Sequence, residues 1–143
     1  MAIFNMGSIN IDHIYVMPHL VQAGETLAAS SYQSALGGKG ANQSIAIARA
    51  GGDVRHGGMI NINDEDWLDP LAEAGVDIQH IIRVDDTPTG HAIVAVDEEK
   101  GENQIILSPS ANNEIPNDLV ANLLTDAQEG DWALAQNETN QTA

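Results

Sequence analysis

No cysteine occurs in the chain, which excludes a disulfide framework and any thiolate metal site. Aromatic side chains are almost as scarce, at 3% of residues, so a core must be built from Ala, Ile, Leu and Val. Cations are few: five Lys and Arg stand against 21 acids, for a formal charge of −16. With no basic stripe to offset phosphate repulsion, nucleic acid and anionic membrane surfaces are excluded as partners. No segment approaches 18 apolar residues, and no charged region precedes an apolar stretch at the N-terminus. A cytoplasmic protein with no membrane partner is therefore expected. Serine hydrolase chemistry lacks its G-x-S-x-G elbow. The five histidines, His13, His19, His56, His80 and His91, show no metal-binding spacing.

What is present is enough for one core. The 143 residues are 43% hydrophobic, a size and composition suited to a single domain. The pattern predicts a first strand over Ala2–Ile9 and two short extended pieces between Gly24 and Leu36. A helix over Ala41–Ala50 is stopped by Gly51-Gly52, and a strand follows over Val54–Ile60. A second helix is expected from Asn63 or Asp64 to Gly75, then a strand over Ile78–Val84. A hairpin joins Gly90–Val96 to Asn103–Leu107, a third helix starts at Pro116, and a last strand covers Asp131–Gln136. Alternating strands and helices make this an α/β fold, a partial Rossmann-like parallel sheet flanked by helices. The hairpin and the Gly24–Leu36 pieces break the alternation and are expected to form a small separate β-sheet.

The run Leu36-Gly37-Gly38-Lys39-Gly40-Ala41-Asn42-Gln43 holds the strongest chemical signal. Glycines let backbone amides approach a ligand, and the helix that follows adds N–H donors and a positive dipole end. Two phosphate loops fail here. Gln33 stands where a Walker A loop needs its first glycine and Gly40 where it needs a hydroxyl; Gln43 replaces the last glycine of G-x-G-x-x-G. The turn is instead read as holding an oxygen-rich small molecule. Asn10 and Asp12 follow the first strand, where open α/β sheets collect ligands, and amide plus carboxylate suits sugar hydroxyls. Equally, both residues could serve only local backbone donors. Asn42 lies three residues past Lys39, on a shared helical face. Glu138 follows the last strand and either closes the same crevice or is a solvated acid.

Gly7-Ser8-Ile9-Asn10-Ile11-Asp12, Gly24-Glu25-Thr26 and the Gly37–Gln43 run stand in order along the chain. Ala74-Gly75-Val76-Asp77, Thr89-Gly90, Gly101-Glu102-Asn103, Ala111-Asn112 and Gln136-Asn137-Glu138 follow. Together they resemble the N-terminal portion of the ribokinase-like carbohydrate kinases. The resemblance implies ATP-dependent, magnesium-assisted phosphoryl transfer to a sugar hydroxyl, with ribose as the expected sugar. It makes Asn10, Asp12, Gly38, Lys39, Asn42 and Glu138 sugar-binding residues, with Ala92 and Val94 as apolar contacts from a lid. Residues 1–143 would then be the N-terminal part of such a domain, with lid segments at about 13–36 and 88–108. A homo-oligomer through the lid or the sheet edge is expected. The family's Asp-Thr-x-Gly-Ala-Gly-Asp and Asn-x-x-Glu motifs have no counterpart here. The catalytic Asp and the residues binding ATP and Mg2+ are thus expected beyond the chain end, leaving the chain alone inactive. A non-catalytic sugar-binding or dimerisation module is the alternative. After Met59 the family's Gly-x-Asp-x-x-Gly-like turn is missing.

Overall fold

The computed structural model of the chain describes residues 1–140. Eight strands make two four-stranded sheets. The first comprises β1 (Ala2–Met6), β4 (Asp53–Asn61), β5 (Ile81–Val84) and β8 (Trp132–Ala135), in the order β5-β4-β1-β8. Its neighbours all pair in parallel. The second comprises β2 (Asn10–Met17), β3 (Ser31–Gly37), β6 (Gly90–Asp97) and β7 (Asn103–Ser108), in the order β3-β2-β6-β7. There β2 and β6 are parallel, and the outer strands antiparallel.

Helix α1 (Lys39–Arg49) covers one face of the first sheet. Its Ala41 and Ile45 pack with Ile9, Val54 and Ile60, and with Leu71 of the short helix α2 (Asp69–Glu73). Helix α3 (Asp118–Leu123) covers the other face, seating Leu123 against Phe4 and Leu119 against Met59 and Ile115. Aliphatic burial of this kind stabilises by roughly 1.5–3 kcal/mol per large side chain. Eleven buried Ile, Leu and Val side chains thus make up for the scarcity of aromatics, and among the described residues Phe4 is the one buried carbocyclic ring.

The α/β class and the small second sheet agree with expectation, but three local readings change. Asn10 and Asp12 follow the first strand but themselves lie within strand β2, so the second sheet already begins at Asn10. Only Ser31–Gly37 of the Gly24–Leu36 stretch is a strand. The second helix is split: a 3-10 turn over Ile62–Leu68, capped by the Asn61 side chain, precedes α2. Pro70 explains the break, since its ring suits the opening turn of a helix and not the interior.

Candidate functional site

Strand β1 ends at Met6 and Gly7-Ser8-Ile9 carries the chain into β2, so Asn10 and Asp12 stand above the carboxyl end of the first sheet. Asn112 fixes this junction. Its Oδ1 accepts from the Ile9 amide at 2.9 Å, and its Nδ2 donates to the Ile9 carbonyl at 3.1 Å and to Asn10 Oδ1 at 2.8 Å. Asn10 therefore turns its own Nδ2 outward as a donor. The Asp12 carboxylate lies over Gly37, where any β-carbon would collide with it. Partial burial raises the Asp12 pKa above the ordinary carboxylate value, and the neighbouring His13 opposes the rise.

The glycine turn is built for closeness. Gly38 sits at φ 91°, and a side chain there would strike the Ser8 carbonyl. Of the amides at the helix start, that of Ala41 is already given to the Ser8 carbonyl at 3.0 Å. Lys39 opens α1 and pairs its ammonium with Glu138 Oε1. Glu138 is held in turn: Ser8 Oγ lies 3.2 Å from its Oε2, and its amide donates to Gln136 Oε1 at 3.1 Å. The Lys39 side chain is two-thirds exposed, so the pair contributes little to stability, about 0–1 kcal/mol, and a ligand can insert into it.

Asn10, Asp12, Gly38, Lys39, Asn42, Ala92, Val94 and Glu138 all line one cavity of about 160 Å3. Every residue expected at the site is thus brought to one place, including Glu138, whose alternative was a solvated acid. Ile105 and Leu107 complete the wall. The volume lies below the roughly 300–1,000 Å3 of drug-sized pockets, so a small molecule is the size it admits. One side offers carboxylates, amides and an ammonium; the other, from β6 and β7, offers Ala, Val, Ile and Leu. A molecule with hydroxyls on one side and C–H bonds on the other fits that division.

Sequence reasoning missed four contributors. Ile105 and Leu107 alternate along β7 with Gln104 and Ile106, a pattern that marks a face without saying what faces it. Asn112 and Ser8 act through backbone and carboxylate partners distant in sequence, and spacing carries no sign of that. His13 is not at the site; its Nδ1 lies 2.8 Å from the Tyr32 hydroxyl on the opposite face of the second sheet.

That opposite face carries a larger groove, of about 710 Å3, bordered by Tyr15, Met17, Ile93, Ala95 and Ile106 among others. Ile93 and Ile106 are exposed there. Ile105 borders both cavities.

Residues 2–133 match the model of the pfkB family of carbohydrate kinases. The chain is 36% identical to the ribokinase of Haemophilus influenzae over 136 residues, covering 94% of this chain and 44% of that protein. It is also similar in structure to the ribokinase of Cryptococcus neoformans var. grubii solved with ADP. That likeness has a TM-score of 0.80 at 34% identity and covers 96% of this chain and 42% of the other. The Arabidopsis thaliana ribokinase complexed with ribose and ATP gives a TM-score of 0.78 at 26% identity, with coverages of 96% and 45%. The chain spans less than half the length of the relatives it matches.

Proposed function

The chain belongs to the pfkB family of carbohydrate kinases, and on that premise we propose that it is the sugar-holding portion of an ATP-dependent sugar kinase, with ribose as the acceptor. One observation carries the reading: the eight residues that the family resemblance singles out border a single small cavity with a polar floor and an apolar wall. The Arabidopsis relative complexed with ribose and ATP supports the choice of sugar.

In this reading the Asp12 and Glu138 carboxylates accept from sugar hydroxyls, while Lys39 and the amides of Asn10 and Asn42 donate to them. Charge-assisted hydrogen bonds of this type contribute about 1.5–3 kcal/mol each. Ala92 and Val94 rest against the C–H face of the ring, and Ile105 and Leu107 extend that contact. The second sheet acts as the lid, through segments at about 13–36 and 88–108, excluding water from the hydroxyls beneath.

ATP and Mg2+ are the family's phosphoryl donor and its metal. We assign neither to the described residues. The glycine turn gives its Ala41 amide to the Ser8 carbonyl and lacks both the first glycine and the hydroxyl of a Walker A loop. No group of three or more His, Asp or Glu among the described residues is disposed to hold a metal. No step of transfer is therefore assigned to these residues, and the isolated chain is read as inactive in a cytoplasmic kinase. Among the described residues, no helix is long and apolar enough to cross a membrane.

A second reading, a non-catalytic sugar-binding or dimerisation module, is favoured by the apolar groove on the outer face of the second sheet. Two copies meeting there, or along the free edge of β8, would cover surface that is exposed in the single chain.

Isothermal titration of the chain with D-ribose, beside an ATP phosphorylation assay, tests both readings. Binding without turnover is expected, and Asp12→Ala should weaken binding about tenfold to a hundredfold. Unchanged affinity in that variant would remove Asp12 from the site. Turnover by this chain alone would overturn the assignment of catalysis to residues outside it.

A further inference from the structure

Asn5 and His56 are polar residues set among the apolar side chains Ile3, Val54 and Ile60 on the sheet face beneath α1. They are register partners on β1 and β4, and both reach Ser44 of α1. Asn5, Ser44 and His56 are all fully buried. Asn5 Nδ2 donates to Ser44 Oγ at 2.8 Å and to the Gly40 carbonyl at 2.9 Å. Ser44 Oγ lies 2.8 Å from His56 Nδ1.

The direction of these bonds follows from the inventory of protons. Ser44 Oγ already receives a proton from Asn5, and its remaining neighbour is His56 Nδ1. Its own O–H therefore donates to Nδ1, and the imidazole proton resides on Nε2. Burial holds the ring neutral, lowering its pKa to about 4, although the Gly7 carbonyl is near enough to oppose that drop. Neither Nε2 nor Asn5 Oδ1 completes a hydrogen bond of ordinary geometry. A half-satisfied polar cluster is a poor way to stabilise a core, which an apolar trio would do better.

What the cluster does instead is end on one backbone atom. The Gly40 carbonyl belongs to the first turn of α1, one residue past Lys39. The backbone there has no slack, because Gly40 packs directly on Gly7, and a β-carbon on either would collide with the other. Any shift at Gly40 passes to Ser8, which touches Glu138, and to Lys39, which pairs with it. We propose that Asn5, Ser44 and His56 form a buried positioning relay that sets the glycine turn and, through it, the Lys39 ammonium and Asn42 amide in the pocket. The proposal rests on the sugar-holding reading for the purpose of those two groups, but the relay itself exists or fails without sugar.

The test uses the 15N-labelled full chain without ligand. Imidazole nitrogen shifts in the wild type should show the proton on Nε2 of His56; a proton on Nδ1 would overturn the relay even if every variant failed to fold. Ser44→Ala should speed amide exchange at Ala41 and Asn42 by about tenfold, and Ser44→Thr, which restores the hydroxyl, should reverse much of that change. Leu123→Val is the control: it removes core volume beneath the opposite face of the same sheet, in a cluster that does not include Ala41, and should leave both amides unchanged. Equal loosening by Ser44→Ala and Leu123→Val would reduce Ser44 to packing and sink the proposal. Ribose titration separates the two ideas. A wild-type chain that ignores ribose yet shows these exchange effects keeps the relay and discards the sugar. Wild-type binding that Ser44→Ala leaves unweakened discards the relay's hold on the pocket.

Discussion

The two sheets use the same chain to different ends. In the first, both faces lie under helices, every neighbouring pair is parallel, and the buried side chains are Phe4, Val54, Ile60 and their neighbours. In the second, no helix among the described residues lies over the outer face, and the strands present Asn10 and Asp12 to one side and Tyr15 and Met17 to the other. On the sugar-holding reading, stability and recognition are divided between the layers. The covered sheet holds the fold, and the bare one is free to differ on its two faces.

Substitutions can break that division. The largest effect belongs to the covered sheet: Phe4→Ala should cost about 3–5 kcal/mol and lower Tm by on the order of 10 °C or more in a thermal melt. Next comes His56. Its pKa is depressed from 6.5 to about 4 in the folded chain. The folded state thus holds fewer protons than the unfolded state between those values, and stability present above pH 6.5 is lost as pH falls toward 4. The loss is on the order of 3 kcal/mol, and His56→Phe should flatten that slope in urea melts at stepped pH. On the bare sheet the order of effects reverses. Asp12→Asn should weaken ribose binding about tenfold to a hundredfold yet raise Tm slightly, by roughly 1–3 °C, because burial raises the Asp12 pKa and its charge costs stability above that pKa. The smallest stability change is expected from Ile106→Lys, within about 0.5 kcal/mol. By light scattering it should nevertheless dissociate any oligomer formed through the outer face while leaving ribose affinity intact. If Ile106→Lys altered affinity as strongly as Asp12→Asn, the two faces would not be independent.

Legibility in the sequence followed the same line. Helix α1 was readable because Ala41, Ile45 and Ala48 repeat at helical spacing between two glycine signals, and β6 and β7 because a polar turn separates two apolar runs. The glycine turn was readable because three glycines around Lys39, one of five cationic residues, are conspicuous in so acidic a chain, and the family resemblance supplied Ala92, Val94 and Glu138. Strand β2 was not. Asn10, Asp12 and His13 carry a loop's composition, and only pairing with β3 and β6 makes them extended. Asn5 and His56 were equally silent, since a single polar residue in an apolar strand does not announce a partner such as Ser44 on a distant helix.

The pocket joins Asn10, near one end of the described chain, to Glu138, near the other. Between them β2 pairs with β6 across most of the sequence. Closing so long a loop is slow compared with forming α1 or the β6–β7 hairpin. The cavity should therefore be among the last features to mature during refolding. A ligand signal that develops later than helical circular dichroism would report the docking of β8 and the arrival of Glu138.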